Sequence, residues 1–249
     1  MISGTSAAAD QSGRGLSATT DSLRDMDIIL IPGMWLTASA WATVTPRLEQ
    51  LGHHPIPIAG AGEDSDVSSL EELAGAVVAA VDAADHPAVL GHSAAATLAW
   101  IAADRRPDRV ARLLLLGGFP AADGDLYFDA FPAVDGRMPF PGWEPFEGPD
   151  SADLDAAARA RFVQESIAVP EGITHAPVQL SDARRYDVPV TVICPEFSPA
   201  EAKAAVDSGH LPEFSKVQQL DYVDLDSGHW PMFTRPAELA EVIDQVLTG

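Results

Sequence analysis

The chain has 249 residues, with 15 Lys and Arg against 37 Asp and Glu, a formal charge of −22 at pH 7. That balance excludes nucleic acid and acidic lipid surfaces as partners, since both are held by Lys and Arg; only Lys203 and Lys216 are lysines, and neither Lys nor Arg occurs from Leu48 to Asp104. A hydrophobic share of 47% lets the chain bury a core, and its single cysteine, Cys194, excludes an internal disulfide. Residues 1–26, rich in Ser, Ala, Gly and Thr, lack the pattern of a secretory signal and are expected to form a disordered tail. No run of about 18 apolar residues predicts a membrane span, and a cytoplasmic location is expected.

From residue 27 onward, short apolar runs alternate with amphipathic stretches, as in a parallel sheet covered by helices on both faces. Ile28–Ile31 reads as a buried strand ended by Pro32-Gly33. Ser39–Leu51 has helical spacing, with Trp41, Val44, Leu48 and Leu51 on one side and Gly52 as its stop. Ile56–Ile58 is a short strand, and Gly60-Ala61-Gly62 opens an acidic loop. Ser69–Ala84 is a helix that starts at a Ser-x-x-Glu capping box, Ser69 with Glu72. Ala88–Leu90 is strand, Ala94–Arg105 helix and Val110–Leu116 strand. The rhythm then breaks over residues 119–186, rich in Pro, Gly, aromatics and acids, with one helix predicted from Ser151 to Ile167. Such a long interruption reads as a cap or lid rather than a linker, because its apolar residues need a surface to cover. Strands at Val188–Ile193 and Gln219–Leu225 and a helix at Pro236–Leu247 complete an α/β domain of about six strands over residues 27–249.

Chemistry concentrates where Val89-Leu90-Gly91-His92-Ser93-Ala94-Ala95 turns from strand to helix. A serine at such a turn projects its oxygen from the sheet, and the positions two before and two after it must be small, as Gly91 and Ala95 are. Read alone, the same serine fits a helix cap without chemistry. A nucleophilic serine requires a base, and Gly228-His229 after the last strand supplies a histidine at the expected place. His53, His54, His86, His175 and His210 read as surface or packing residues. The N–H groups of Ala94 and Met34, the latter in Pro32-Gly33-Met34-Trp35, are placed to hold an oxyanion.

These motifs resemble the α/β-hydrolase superfamily. The resemblance rests on Pro32-Gly33-Met34 followed by Trp41, on the Gly91-His92-Ser93-Ala94-Ala95 elbow and on Gly228-His229. Its first segment is similar to the group of hydroxynitrile lyases and methyl-ester hydrolases, with Pro32 where a histidine is usual. The resemblance implies an acid shortly after the strand Val188–Ile193, where Ser198 aligns with the usual Asp and Glu196 is the nearest carboxylate. Asp123 is the rival, because some members place the acid after the strand ending at Leu116; a dyad or another acid also stays open.

The resulting expectation is a serine hydrolase of carboxylic esters or lactones. Ser93 is its nucleophile, His229 its base and Glu196 its acid, with the Met34 and Ala94 amides around the oxyanion. Trp35, Trp230, Phe119 and Trp143 are candidate walls of a pocket for an apolar, neutral or cationic small molecule. Core packing is the default for each of these aromatics. A lyase or natural-product tailoring reaction at the same residues, or ligand binding without turnover, are the alternatives. No cofactor or metal is implied: Gly60-x-Gly62 lacks the third glycine of a dinucleotide fingerprint, and no cluster has metal-ligand spacing. The oligomeric state is left open.

Overall fold

The computed structural model, which describes residues 25–249, gathers the apolar runs into one six-stranded parallel sheet. Its strands are β1 (Asp27–Ile31), β2 (His54–Pro57), β3 (Ala88–His92), β4 (Arg112–Leu116), β7 (Val190–Cys194) and β8 (Leu220–Asp224), in the order β2-β1-β3-β4-β7-β8. A separate antiparallel pair, β5 (Arg137–Met138) and β6 (Val169–Pro170), lies in the insertion between β4 and β7. The four inner strands are buried on both faces, which is why they read as unbroken apolar runs. Alternate residues feed two cores: Ile29, Ile31, Val89, Leu113, Leu115 and Val192 face one side, and Ile28, Leu30, Leu90, Leu114, Leu116 and Ile193 the other. β2 tolerates Pro55 and Pro57 because it is an edge strand with half of its hydrogen-bonding positions free.

Helices cover both faces. Leu70–Ala83 and Ala96–Arg105 pack on the first core and Pro236–Thr248 on the second. The Ser69–Glu72 capping box forms as predicted. The single helix expected over Ser39–Leu51 is instead a 3-10 turn, Ala38–Trp41, followed by a helix, Thr45–Gln50. Pro46 explains the break: its ring would strike the carbonyl of Ala42 in a continuous helix, whereas it fits the first turn of a new one. Trp41, Val44 and Leu48 are nonetheless buried together, as their spacing required. The helix expected over Ser151–Ile167 is confined to Ala156–Glu165, because the Asp155 side chain accepts the Ala158 N–H and starts it there. A further helix, Pro199–Asp207, was not anticipated.

The tail expected over residues 1–26 falls mainly on 1–24, outside the described residues. Met26, at its end, belongs to the fold, since its carbonyl accepts the His54 N–H at 2.9 Å. No helix among the described residues is long and apolar enough to cross a membrane.

Candidate active site

The strand order reverses between β1 and β3, since β1 leads outward to β2 while β3 leads to β4, β7 and β8. In open parallel sheets this reversal leaves a crevice beyond the carboxyl ends of the strands. Met34 follows β1 there, and Ser93 follows β3. Ser93 has φ +55°, a left-handed conformation that a non-glycine residue adopts only when its surroundings impose it. The imposition comes from the tight approach of strand and helix: a Cβ on Gly91 would run into the Ala95 carbonyl, and one on Gly118 into the Ser93 carbonyl. The 3-10 turn Ser93–Ala95 then leads into Ala96–Arg105, so the Ala94 N–H lies at the amino end of helical structure. The Met34 N–H has no hydrogen-bond partner among the described residues, and Trp35 after it is also left-handed, φ 65°.

His229 Nδ1 lies 2.6 Å from Glu196 Oε1, both side chains being largely buried. An ionised carboxylate only accepts, so the proton sits on Nδ1 and leaves Nε2 with a free lone pair. That is the tautomer a general base needs. Glu196 thus stands against His229. Asp123, its rival, is engaged elsewhere and accepts the Leu180 N–H at 2.8 Å. Ser198, aligned with the usual Asp, is the N-cap of Pro199–Asp207 in a capping box with Glu201.

The consecutive glycines Gly117 and Gly118 lie between the elbow and the His229–Glu196 pair. A Cβ on Gly117 would stand 3.3 Å from His229 Nδ1 and 3.4 Å from Glu196 Oε2, while Gly118 abuts the Ser93 backbone. These two glycines escaped sequence reasoning, although a glycine doublet at a strand end is a signal for close backbone approach. Among the described residues Ser93 Oγ makes no hydrogen bond, and the doublet has the Ser93 backbone against Gly118 and the His229–Glu196 pair beside Gly117. Catalytic hydrogen bonds often tighten only when substrate binds.

His92, beside Ser93, was also missed. Its ring is 1% exposed, and Nε2 lies 2.8 Å from the His229 carbonyl, which can only accept, so Nε2 carries the proton. Among the described residues Nδ1 has no hydrogen-bond partner, and it faces Gly33: a Cβ there would be 2.5 Å away. Burial, reinforced by the neighbouring His229, holds His92 neutral, its pKa pushed down to about 3. The ring therefore joins the His229 loop to the loop that carries Met34.

The aromatic candidates fall into two groups. Trp35 (3% exposed) packs against Phe128, Phe131, Phe140 and Phe146, and Trp230 (2%) against Trp143, Phe146, Phe162 and the His229 ring. Both indoles serve mainly as packing between the sheet and the insertion. Phe119 is partly exposed and lies against Phe197 and Phe214. Burial pushes the carboxyl of Asp150, in the insertion near His229 and Glu196, above its ordinary range. Of the remaining histidines, His53 is buried and pairs with Asp244 at 3.0 Å. Among the described residues no group of His, Cys, Asp or Glu is arranged to hold a metal ion.

A family model described as the alpha/beta hydrolase family matches residues 28–242. The chain belongs to the alpha/beta hydrolase family. Solved structures of the same fold include an extracellular alpha/beta-hydrolase from Paenibacillus, described as sharing structural and functional homology with tobacco salicylic acid binding protein 2. It is 20% identical over 88% of this chain and 98% of that one, with TM-score 0.72. A methylesterase from Arabidopsis is 14% identical over 89% and 98% of the two chains, TM-score 0.69. A pyrethroid hydrolase from Sphingobium faniae is 22% identical over 90% and 97%, TM-score 0.63. At these identities the likeness is one of fold. No curated protein sequence matches the chain.

Proposed function

We propose that the protein is a serine hydrolase of carboxylic esters, working through an acyl-enzyme. The observation that carries this reading is the pairing of a strained Ser93 at the elbow with a His229 whose tautomer Glu196 fixes, brought to either side of Gly117-Gly118. Ser93 Oγ attacks the ester carbonyl while His229 Nε2 takes its proton, and Glu196 stabilises the imidazolium that results. The Met34 and Ala94 N–H groups hold the tetrahedral oxyanion. His229 then gives its proton to the departing alkoxide, and the same residue activates the water that releases the acid. The methylesterase and the pyrethroid hydrolase among the fold neighbours are consistent with this assignment.

The insertion serves as a cap in this reading, and its aromatics with Phe119 present an apolar wall to the substrate. Arg159 is held by Glu147 and Ser151, and Arg137 by the Ala168 carbonyl, while Asp150 and Glu196 lie close to His229. The substrate is accordingly apolar and neutral or cationic. The test is release of p-nitrophenol from a short-chain ester: a burst followed by slower turnover is expected. Ser93→Ala and His229→Ala should each lower kcat by roughly 10⁴- to 10⁶-fold. Activity surviving both substitutions would overturn the assignment.

A further inference from the structure

His229 is held by three parts of the chain at once. Its side chain meets Glu196 after β7, and its carbonyl accepts from His92 in the elbow. Its N–H donates to the Asp150 carbonyl at 2.8 Å, and the preceding N–H, of Gly228, donates to Asp153 Oδ2 at 2.9 Å. Both of these acceptors belong to the insertion. The fit around Gly228 is close: a Cβ there would lie 2.5 Å from the Asp150 carbonyl and would collide with Asp153 Oδ1.

The turn that carries both acceptors is itself tied down. Ser151 is fully buried, its hydroxyl donates to the Phe146 carbonyl at 2.7 Å, and Arg159 donates to Ser151 from the helix Ala156–Glu165. Beside it, Trp143, Phe146 and Phe162 pack on Trp230, the residue after His229. If this part of the insertion lifts, two loop N–H groups lose their acceptors and Trp230 loses its neighbours.

Building on the ester-hydrolase reading, we infer that Asp153 is a positioning residue, through which the insertion holds the His229 loop in its working place. Asp153 touches neither substrate nor reacting atoms; it acts through the Gly228 peptide on the imidazole one residue later. A displacement of the base by about 1 Å lowers turnover by up to about 100-fold without an equal effect on binding.

The experiment compares Asp153→Ala, Asp153→Asn and Asp155→Ala with the native full-length protein. Asp153→Ala should lower kcat by about 10- to 100-fold with KM within about threefold. Asp153→Asn, whose amide oxygen can accept the same N–H, should recover most of that loss. Asp155→Ala removes the cap of the neighbouring helix and weakens the same segment without touching the His229 loop, so its kcat should stay near native. Amide hydrogen exchange across residues 225–231 provides a readout that needs no ester: Gly228 and His229 should exchange at least about tenfold faster in Asp153→Ala than in Asp155→Ala. Native kcat in Asp153→Ala, an equal loss in Asp155→Ala, or no recovery in Asp153→Asn would overturn the inference. If the native protein cleaves no ester, the hydrolase reading fails separately, and unchanged exchange at Gly228 and His229 in Asp153→Ala would then overturn the hold itself.

Discussion

Glu196 reaches His229 from two positions before Ser198 because its side chain is one methylene longer than an aspartate's. In the proposed mechanism Glu196→Gln removes the charge that would stabilise imidazolium and admits the wrong tautomer, so kcat/KM should fall by roughly 10²- to 10⁴-fold. Asp123→Asn keeps an acceptor for the Leu180 N–H and should stay within about threefold of native. Comparable losses in the two variants would contradict the assignment of the acid. His92 offers a test by pH. Its pKa is depressed to about 3 in the fold against 6.5 when free, so between these values the unfolded chain binds the extra proton. Its contribution is present above pH 6.5 and is lost as pH falls toward 3, at up to about 1.4 kcal/mol per pH unit. Urea unfolding of the native protein and of His92→Gln should show native ahead at pH 7 and the gap narrowing on acidification; a gap that stays constant would contradict this.

The elements show which signals a sequence carries openly. The elbow could be read because its chemistry is local: Gly91, Ser93 and Ala95 must be small or strained within one turn. The inner strands were equally legible, since burial on both faces leaves no polar positions to confuse the pattern. Pro199–Asp207 carries a local signal, since Ser198-x-x-Glu201 repeats the Ser69-x-x-Glu72 box, but Ser198 also aligns with the family's usual acid and that second reading masks the cap. The β5–β6 ribbon is two residues per strand and has no period to detect. The Asp153–Gly228 contact joins residues 75 apart in sequence and depends on how the insertion folds back. Two glycines separate local strain from open space. Gly91→Ala should destabilise strongly, by about 2 kcal/mol or more, because its Cβ meets the Ala95 backbone. Gly75, within Leu70–Ala83, has nothing within 4 Å of a Cβ, so Gly75→Ala should stabilise by about 0.5–1 kcal/mol in the same thermal or urea measurement.

At the scale of the whole molecule, the charge of −22 is unevenly distributed. Leu48 to Asp104, which includes the elbow, holds nine acids and no Lys or Arg, and Pro120 to Asp187 holds 13 acids and five arginines. Two of those arginines are drawn inward or aside: Arg185 is buried with Asp104 and Glu213, and Arg184 pairs with Asp108 and Asp182. If these acids set a negative field over the proposed site, kcat/KM should favour neutral over matched anionic esters at low ionic strength, with the ratio shrinking as salt rises. Equal values at low salt would contradict that. The proposed hydrolysis depends on Ser93 becoming acylated with His229 as its base. Mass spectrometry after treatment with a fluorophosphonate tests this most directly. A single adduct on the peptide containing Ser93 is predicted in the native protein, with its formation greatly slowed in His229→Ala; no adduct, or an adduct on another residue, would contradict it.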